Sequence, residues 1–244
     1  MYREFAPPPD LAPHVACVWA SIHHGGVIFP DGCVDLVWHG THLVVAGPAT
    51  GPASPDLAFG DRVIGVRFRL GVAGTALGLP AEEFADDAVP VADVWGPEVD
   101  ERVAAGGMPA LLDVVRERVR GVPIDPLARA AAVAMAAPGA RVDALGATLG
   151  VSERQLRRRF ADAVGYGPKT LARVLRFQRF LTIAQSGDDL ARLALSAGYA
   201  DQAHLTRETR RLAGRTPREL LLAGATPAGE RFAAPGAPGV SGLA

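Results

Sequence analysis

The stretch Leu149-Gly150-Val151-Ser152-Glu153-Arg154-Gln155-Leu156-Arg157-Arg158-Arg159-Phe160-Ala161-Asp162-Ala163-Val164 decides the fold of this chain. Gly150 suits the tight turn that a helix-turn-helix needs. Ser152 follows two residues later, where a helix N-cap belongs. A helix is predicted from Glu153 to about Val164. At about 100° per residue, Leu156, Phe160, Ala163 and Val164 share one side. Arg154 and Arg158 lie opposite with Gln155 and Asp162, and Arg157 sits towards one flank. A helix packed on one face and arginine-rich on the other suits the major groove, where Arg makes bidentate bonds to guanine O6 and N7. Upstream, Val142, Leu145 and Leu149 form the apolar stripe of a preceding helix.

The same design recurs about 49 residues later. Leu190, Leu193 and Ala194 form a stripe, Gly198-Tyr199 turns the chain, and Asp201 caps a helix running to about Ala213. Leu205 and Leu212 face inward; Ala203, Thr206, Arg207 and Arg210 face outward, with His204 and Arg211 at the edge. Between the units, Pro168 opens a helix in which Leu171, Val174, Leu175, Gln178 and Leu181 keep helical spacing. That helix holds the two units at a fixed separation. Two units in one chain can reach successive major-groove segments about 34 Å apart.

Residues 141–222 resemble the DNA-binding region of AraC-family regulators. The likeness rests on Leu149-Gly150-Val151-Ser152 with Gln155-Leu156 and Arg159-Phe160, on Gly167-Pro168-Lys169 leading to Arg176-Phe177-Gln178, on Ala197-Gly198-Tyr199 with Asp201 to Leu205 and Arg207-Glu208, and on Gly214 with Thr216-Pro217. Order, spacing and duplication all fit. The chain departs from the family at Thr209, where Phe is usual, at Leu220 and Leu221, and at Gly146, where Ala is usual. Loss of a large side chain at Thr209 implies a less firmly packed second unit. The resemblance implies base contacts from Arg154, Arg157 and Arg158 and from His204, Thr206 and Arg207, with Gln155 as a further candidate. It leaves Arg210, Arg211, Lys169 and Arg173 to phosphate or to no contact at all. Each of these arginines also has a plainer reading as a phosphate contact or solvated surface.

The N-terminal part reads differently. Val15 to Ile22 suggests a strand, and Val34 to Trp38 with Leu43 to Ala46 suggests a hairpin across Gly40-Thr41. Val63 to Leu70 alternates, with Val63, Gly65, Arg67 and Arg69 on one face and Ile64, Val66, Phe68 and Leu70 on the other, the pattern of a half-buried strand. From Pro109 to Arg120, Leu111, Leu112, Val115 and Val119 follow a helix, and Leu127 to Ala137 is Ala-rich until Pro138-Gly139. The fold class is therefore α+β: a small β barrel or sandwich-like domain with helices over 1–138, an all-α domain with two helix-turn-helix units over 139–222, and an Ala/Gly/Pro-rich tail over 223–244 that cannot form a core.

Charge divides the chain at the same place. Residues 1–140 hold 9 basic and 17 acidic side chains, and residues 141–222 hold 15 and 8. A basic segment on an acidic body is the footprint of a domain that meets a polyanion. No run reaches the ~18 apolar residues of a membrane span, and the N-terminus lacks the apolar stretch of a signal peptide. Two cysteines, Cys17 and Cys33, make no disulfide framework. These features predict a soluble cytoplasmic protein.

Five of the six histidines and both cysteines fall within the first 42 residues. Strand geometry would put Cys33, Asp35, Val37 and His39 on one face, and thiolate, carboxylate and imidazole together could hold a soft or borderline metal. No Cys-x-x-Cys or His-x-x-x-His spacing occurs, so the plainer reading is an Asp31-Gly32 turn, a small buried Cys33 and surface histidines. The segment Pro30 to Trp95, through Pro30-Asp31-Gly32-Cys33-Val34-Asp35 and Gly65 to Arg69, resembles the N-terminal domain of one AraC-type subgroup. That resemblance implies a sensor or dimerisation domain.

A sequence-specific transcription regulator, not an enzyme, is the leading expectation. Double-stranded promoter DNA is its partner; a small-molecule effector, a homodimer and, for an activator, RNA polymerase are further expected partners. No cofactor or metal is assigned. The alternative is a DNA-targeted thiol or metal-dependent enzyme or sensor centred on Cys33. No nucleophile–base–orienter set and no nucleotide-binding Gly loop accompanies that thiol.

Overall fold

The computed structural model describes residues 2–137, 145–146, 148–184 and 189–223. Six strands form one antiparallel sheet: β1 (Arg3–Phe5), β2 (Val15–Ile22), β3 (Asp35–Trp38), β4 (Leu43–Ala46), β5 (Arg62–Phe68) and β6 (Ala88–Pro90), in the order β1-β2-β5-β3-β4-β6. The expected strand at 15–22 and the hairpin across Gly40-Thr41 are both present. Strand pairing sets out two unlike rows. Val18, Val66, Leu36, Val45 and Val89 succeed one another across five strands on the core face. Cys17, Arg67, Asp35 and Ala46 form the neighbouring row, which points to the other face.

β5 corrects the sequence reading. Its alternation predicts one solvated face, yet it runs between β2 and β3 and is buried on both. Gly65 lies beneath the Trp19 ring, so close that a Cβ there would fall 2.3 Å from it. Arg67 is only 8% exposed. It donates two 2.9 Å hydrogen bonds to Asp35, and the carboxylates of Asp31 and Glu4 stand 3.6 Å away. A period-two pattern reads Arg as solvent-facing; a charge partner on the next strand is invisible to it.

Helices close the core face: α1 (Ala73–Leu77), a 3-10 turn (Ala81–Phe84), α2 (Val91–Trp95) and α3 (Glu98–Val119). α3 is broken at Gly107, whose φ of 58° and ψ of −140° are not helical. The segment from Pro109 is the expected helix, with Leu111, Val115 and Val119 buried and Val114 beside them. α4 (Pro126–Ala136) then joins a second core. Its Ala128, Ala131, Ala132 and Met135 pack with the C-terminal helices, not with the sheet. Those helices are α5 (Glu153–Val164), α6 (Pro168–Ile183), α7 (Leu190–Ala197), α8 (Gln202–Ala213) and α9 (Pro217–Leu222). Val142, the junction Pro138-Gly139 and residues 224–244 of the expected tail lie outside the described residues.

The two cores interlock. Phe29, from the sheet domain, sits in the second core with its ring edge-on to Phe177 at 5.9 Å. Buried Gln178 donates its Nε2 to the Pro30 carbonyl at 2.5 Å. A Cβ on Gly74 of α1 would fall 1.9 Å from the Asp162 carbonyl of α5, so the two helix backbones touch. No helix among the described residues is long and apolar enough to cross a membrane.

Candidate nucleic-acid interface

The turn and second helix of the first unit form as their residues dictate. Gly150 turns with φ 68°. Ser152 and Gln155 close a capping box on α5: the Ser152 hydroxyl accepts from the Gln155 amide at 3.3 Å, and Gln155 Oε1 accepts from the Ser152 amide at 3.2 Å. Leu156, Phe160, Ala163 and Val164 are buried as expected. Opposite them, Arg154 and Arg158 are exposed and make no ion pair among the described residues. Arg157 reaches back to Glu153 at 3.0 Å. Gln155, a candidate base contact, has its carbonyl oxygen committed to the cap. Arg159 was not nominated by the sequence, and it binds both oxygens of Asp125 at 2.7 Å. No local pattern foretells that pair, since 34 residues separate its members.

The second unit repeats the plan. Asp201 caps α8 by accepting from the His204 amide at 2.6 Å, and Leu205 and Leu212 are buried. Arg207, Arg210 and Arg211 are exposed without an ion pair among the described residues. The other two candidates are engaged locally. The His204 ring stands edge-on to Tyr199 at 5.2 Å and its Nδ1 accepts from the Ala200 amide at 3.4 Å. The Thr206 hydroxyl donates to the Gln202 carbonyl at 2.9 Å. Thr209 is fully buried, and its hydroxyl has no partner among the described residues.

α6 joins the units more firmly than its apolar spacing alone implies. Leu171, Val174, Gln178 and Leu181 are buried as expected, and Phe177 and Phe180 are buried with them. Arg173 of α6 holds Glu208 of α8 at 2.5 Å, and Arg176 lies over the Tyr199 ring at 5.4 Å. Arg173 is thus occupied by protein. Lys169 remains exposed.

The constellation around Cys33 does not assemble. Strand β3 begins only at Asp35, so Cys33 lies in the preceding turn, where its amide donates to Asp31 Oδ1 at 2.8 Å. Gly32 supplies the positive φ of 83° that this turn requires. Asp35 is bound to Arg67, and His39 stacks edge-on to His42 at 4.0 Å. Burial, and then the Asp31 charge, push the Cys33 thiol well above its ordinary value, away from a thiolate. Among the described residues no three His, Cys, Asp or Glu side chains gather as metal ligands. Of the histidines, His14 departs from the surface expectation: it is buried where β2 begins.

Two helix-turn-helix units with capped, arginine-faced second helices define a DNA-binding helix-turn-helix protein by class. Residues 145–222 match the family model of a helix-turn-helix domain, and residues 3–90 match a domain of unknown function (DUF6597). The C-terminal region is an AraC-type helix-turn-helix domain, that of a DNA-binding transcription regulator, preceded by a DUF6597 domain. No curated protein matches the chain in sequence. Among solved structures, ToxT from Vibrio cholerae O395 aligns over 84% of this chain and 95% of its own at 9% identity, with a TM-score of 0.41. A second ToxT structure from Vibrio cholerae aligns over 91% and 98% at 8% identity, with a TM-score of 0.43.

Proposed function

We propose that this chain is a sequence-specific transcription regulator whose helices α5 and α8 enter successive major-groove segments of promoter DNA. One observation carries the reading: two helices with matching caps and matching buried faces each present arginines without an ion pair among the described residues. Arg154 and Arg158 on α5, and Arg207 on α8, then serve base edges. Arg210 and Arg211 serve phosphate. Arg157 is held only by an exposed pair with Glu153, which is worth little and yields readily to a base or phosphate. Gln155, His204 and Thr206 shape the free interface through their local bonds. Residues 1–138 act as the sensor or dimerisation domain, and residues 139–222 bind DNA. A small-molecule effector, a homodimer and, for an activator, RNA polymerase complete the proposed partners. An effector acts only by binding the DNA-competent and incompetent arrangements unequally.

Selection of bound sequences from random duplexes, with the full chain at fixed salt, tests this. The expected product is a motif with two half-sites about one helical turn apart. Arg154→Ala or Arg158→Ala should each cost about 1–3 kcal/mol at that site and relax preference at one position. Salt-sensitive binding without any sequence enrichment would sink the proposal.

A further inference from the structure

The two recognition helices end alike, and one loop of the sheet domain reaches both ends. Gly165 closes α5 and Gly214 closes α8, each in the left-handed conformation, with φ of 96° and 68°. A Cβ built on Gly165 would fall 2.3 Å from Pro48 Cγ and 2.9 Å from the Ala81 carbonyl. One built on Gly214 would fall 3.8 Å from Pro52 Cγ. Both prolines belong to Gly47-Pro48-Ala49-Thr50-Gly51-Pro52-Ala53, in which Gly-Pro recurs after four residues.

The loop is fastened along its length. Gly47 donates to the Asp87 carbonyl at 3.0 Å, and it lies so close to Phe84 that a Cβ would fall 1.6 Å from that carbonyl oxygen. At mid-loop the Asp86 carboxylate accepts from the Thr50 amide at 2.5 Å and from its hydroxyl at 2.7 Å. Asp86 holds a φ of 62°, the one positive φ at a non-glycine among the described residues. Such a conformation persists where its surroundings over-determine it. At the far end Ala53 and Ile28 exchange two backbone bonds of 2.8 and 2.9 Å. Ile28 precedes Phe29-Pro30, which are seated on α6. A single tied unit therefore touches the end of α5 and the helix between the units, and its Pro52 stands beside the end of α8.

We infer that the Gly47–Ala53 loop is a bracket that fixes the separation of the two recognition helices. Pro48, Thr50, Pro52 and Asp86 are thereby positioning residues for the spacing of the two half-sites. The inference rests on the two-reader function proposed above. Two linked binding modules gain from each other only when their frame matches the span between sites, and a looser frame accepts several spans. Each base pair added between half-sites moves the second by about 3.4 Å and turns it by about 35° around the duplex. A stiff bracket makes that step costly; a loosened one makes it cheap.

The test uses the full chain and duplexes carrying the two selected half-sites at the best spacing, with one base pair inserted or removed, and with one half-site only. Wild type should lose at least about tenfold in affinity per inserted or removed base pair. Asp86→Gly keeps a residue tolerant of positive φ but deletes both bonds to Thr50. Pro52→Gly loosens the loop at an exposed position, outside both cores, and keeps the test open if the first variant folds poorly. In each, the spacing penalty should fall to about threefold or less, with single half-site affinity within about twofold of wild type. A spacing penalty unchanged in both variants overturns the bracket and leaves the two-reader function standing. A wild type that selects no paired half-sites overturns that function and the bracket together.

Discussion

Thr209 carries a cost that its position alone does not show. Its position in the packed face of α8 follows from helical spacing, and a void is the natural expectation where a large ring is usual. The structure buries Thr209 completely and leaves its hydroxyl without a partner among the described residues, a second cost beside the lost ring. A buried polar group without a partner costs about 1–3 kcal/mol. Thr209→Val keeps the shape and removes that group. It should raise stability by about 1 kcal/mol, read as a higher denaturant midpoint at unchanged slope. A lower midpoint would show that the hydroxyl is satisfied in solution. The neighbouring candidates differ for a related reason. The outward direction of Arg158 or Arg207 follows from periodicity alone. Whether an outward side chain is already engaged, as Gln155 and His204 are, depends on atoms that periodicity does not describe.

Among the elements, α5 is the best specified by its own sequence and the most dependent on others for its placement. Its start, end and buried face all follow from local chemistry, and the structure returns them at Glu153 and Val164. Ser152→Ala removes the hydroxyl half of the capping box and should cost about 0.5–2 kcal/mol, with weaker DNA binding because the exposed first turn frays. Equal midpoints for variant and wild type would show that the cap is idle. Its placement depends on Asp125, the N-cap of α4 and the partner of Arg159. Burial raises the Asp125 pKa, but the Arg159 bonds and two cap amides outweigh it and leave the carboxyl below its ordinary value. A depressed folded pKa contributes stability at neutral pH and loses it as pH falls through the usual carboxylate range towards the folded value. Asp125→Asn should therefore lower the thermal midpoint at neutral pH and narrow its gap to wild type in acid. A gap that persists undiminished to about pH 3 would assign the effect to shape and not to charge. β5 is the contrasting element. Its strand character is plain in the alternation, whereas the burial of Arg67 depends on Asp35 arriving from the adjacent strand.

Across the whole molecule, charge segregation and the change from strand to helix patterning set out the two halves before any coordinates. What they do not contain is the way the halves share material: α4 in the second core, Phe29 beside Phe177, Gly74 against Asp162. Those contacts join residues too distant for any periodic signal. The charge division has a measurable result. Replacing Arg210 and Arg211 together by Ala should reduce the slope of log affinity against log salt by about two, with the preferred sequence unchanged. A changed preference would move one of them from phosphate to base.

The Phe29-Pro30 turn bears on how the chain is made. Gln178, which binds the Pro30 carbonyl, lies 148 residues further along. At a ribosome's pace of about 5–20 residues per second, that turn waits roughly 7–30 seconds for its partner to be synthesised. Throughout that interval an aromatic ring destined for a core is bare. The nascent sheet domain therefore carries an uncovered apolar spot until α6 emerges, and a chain truncated before Phe177 should aggregate more readily than the full chain.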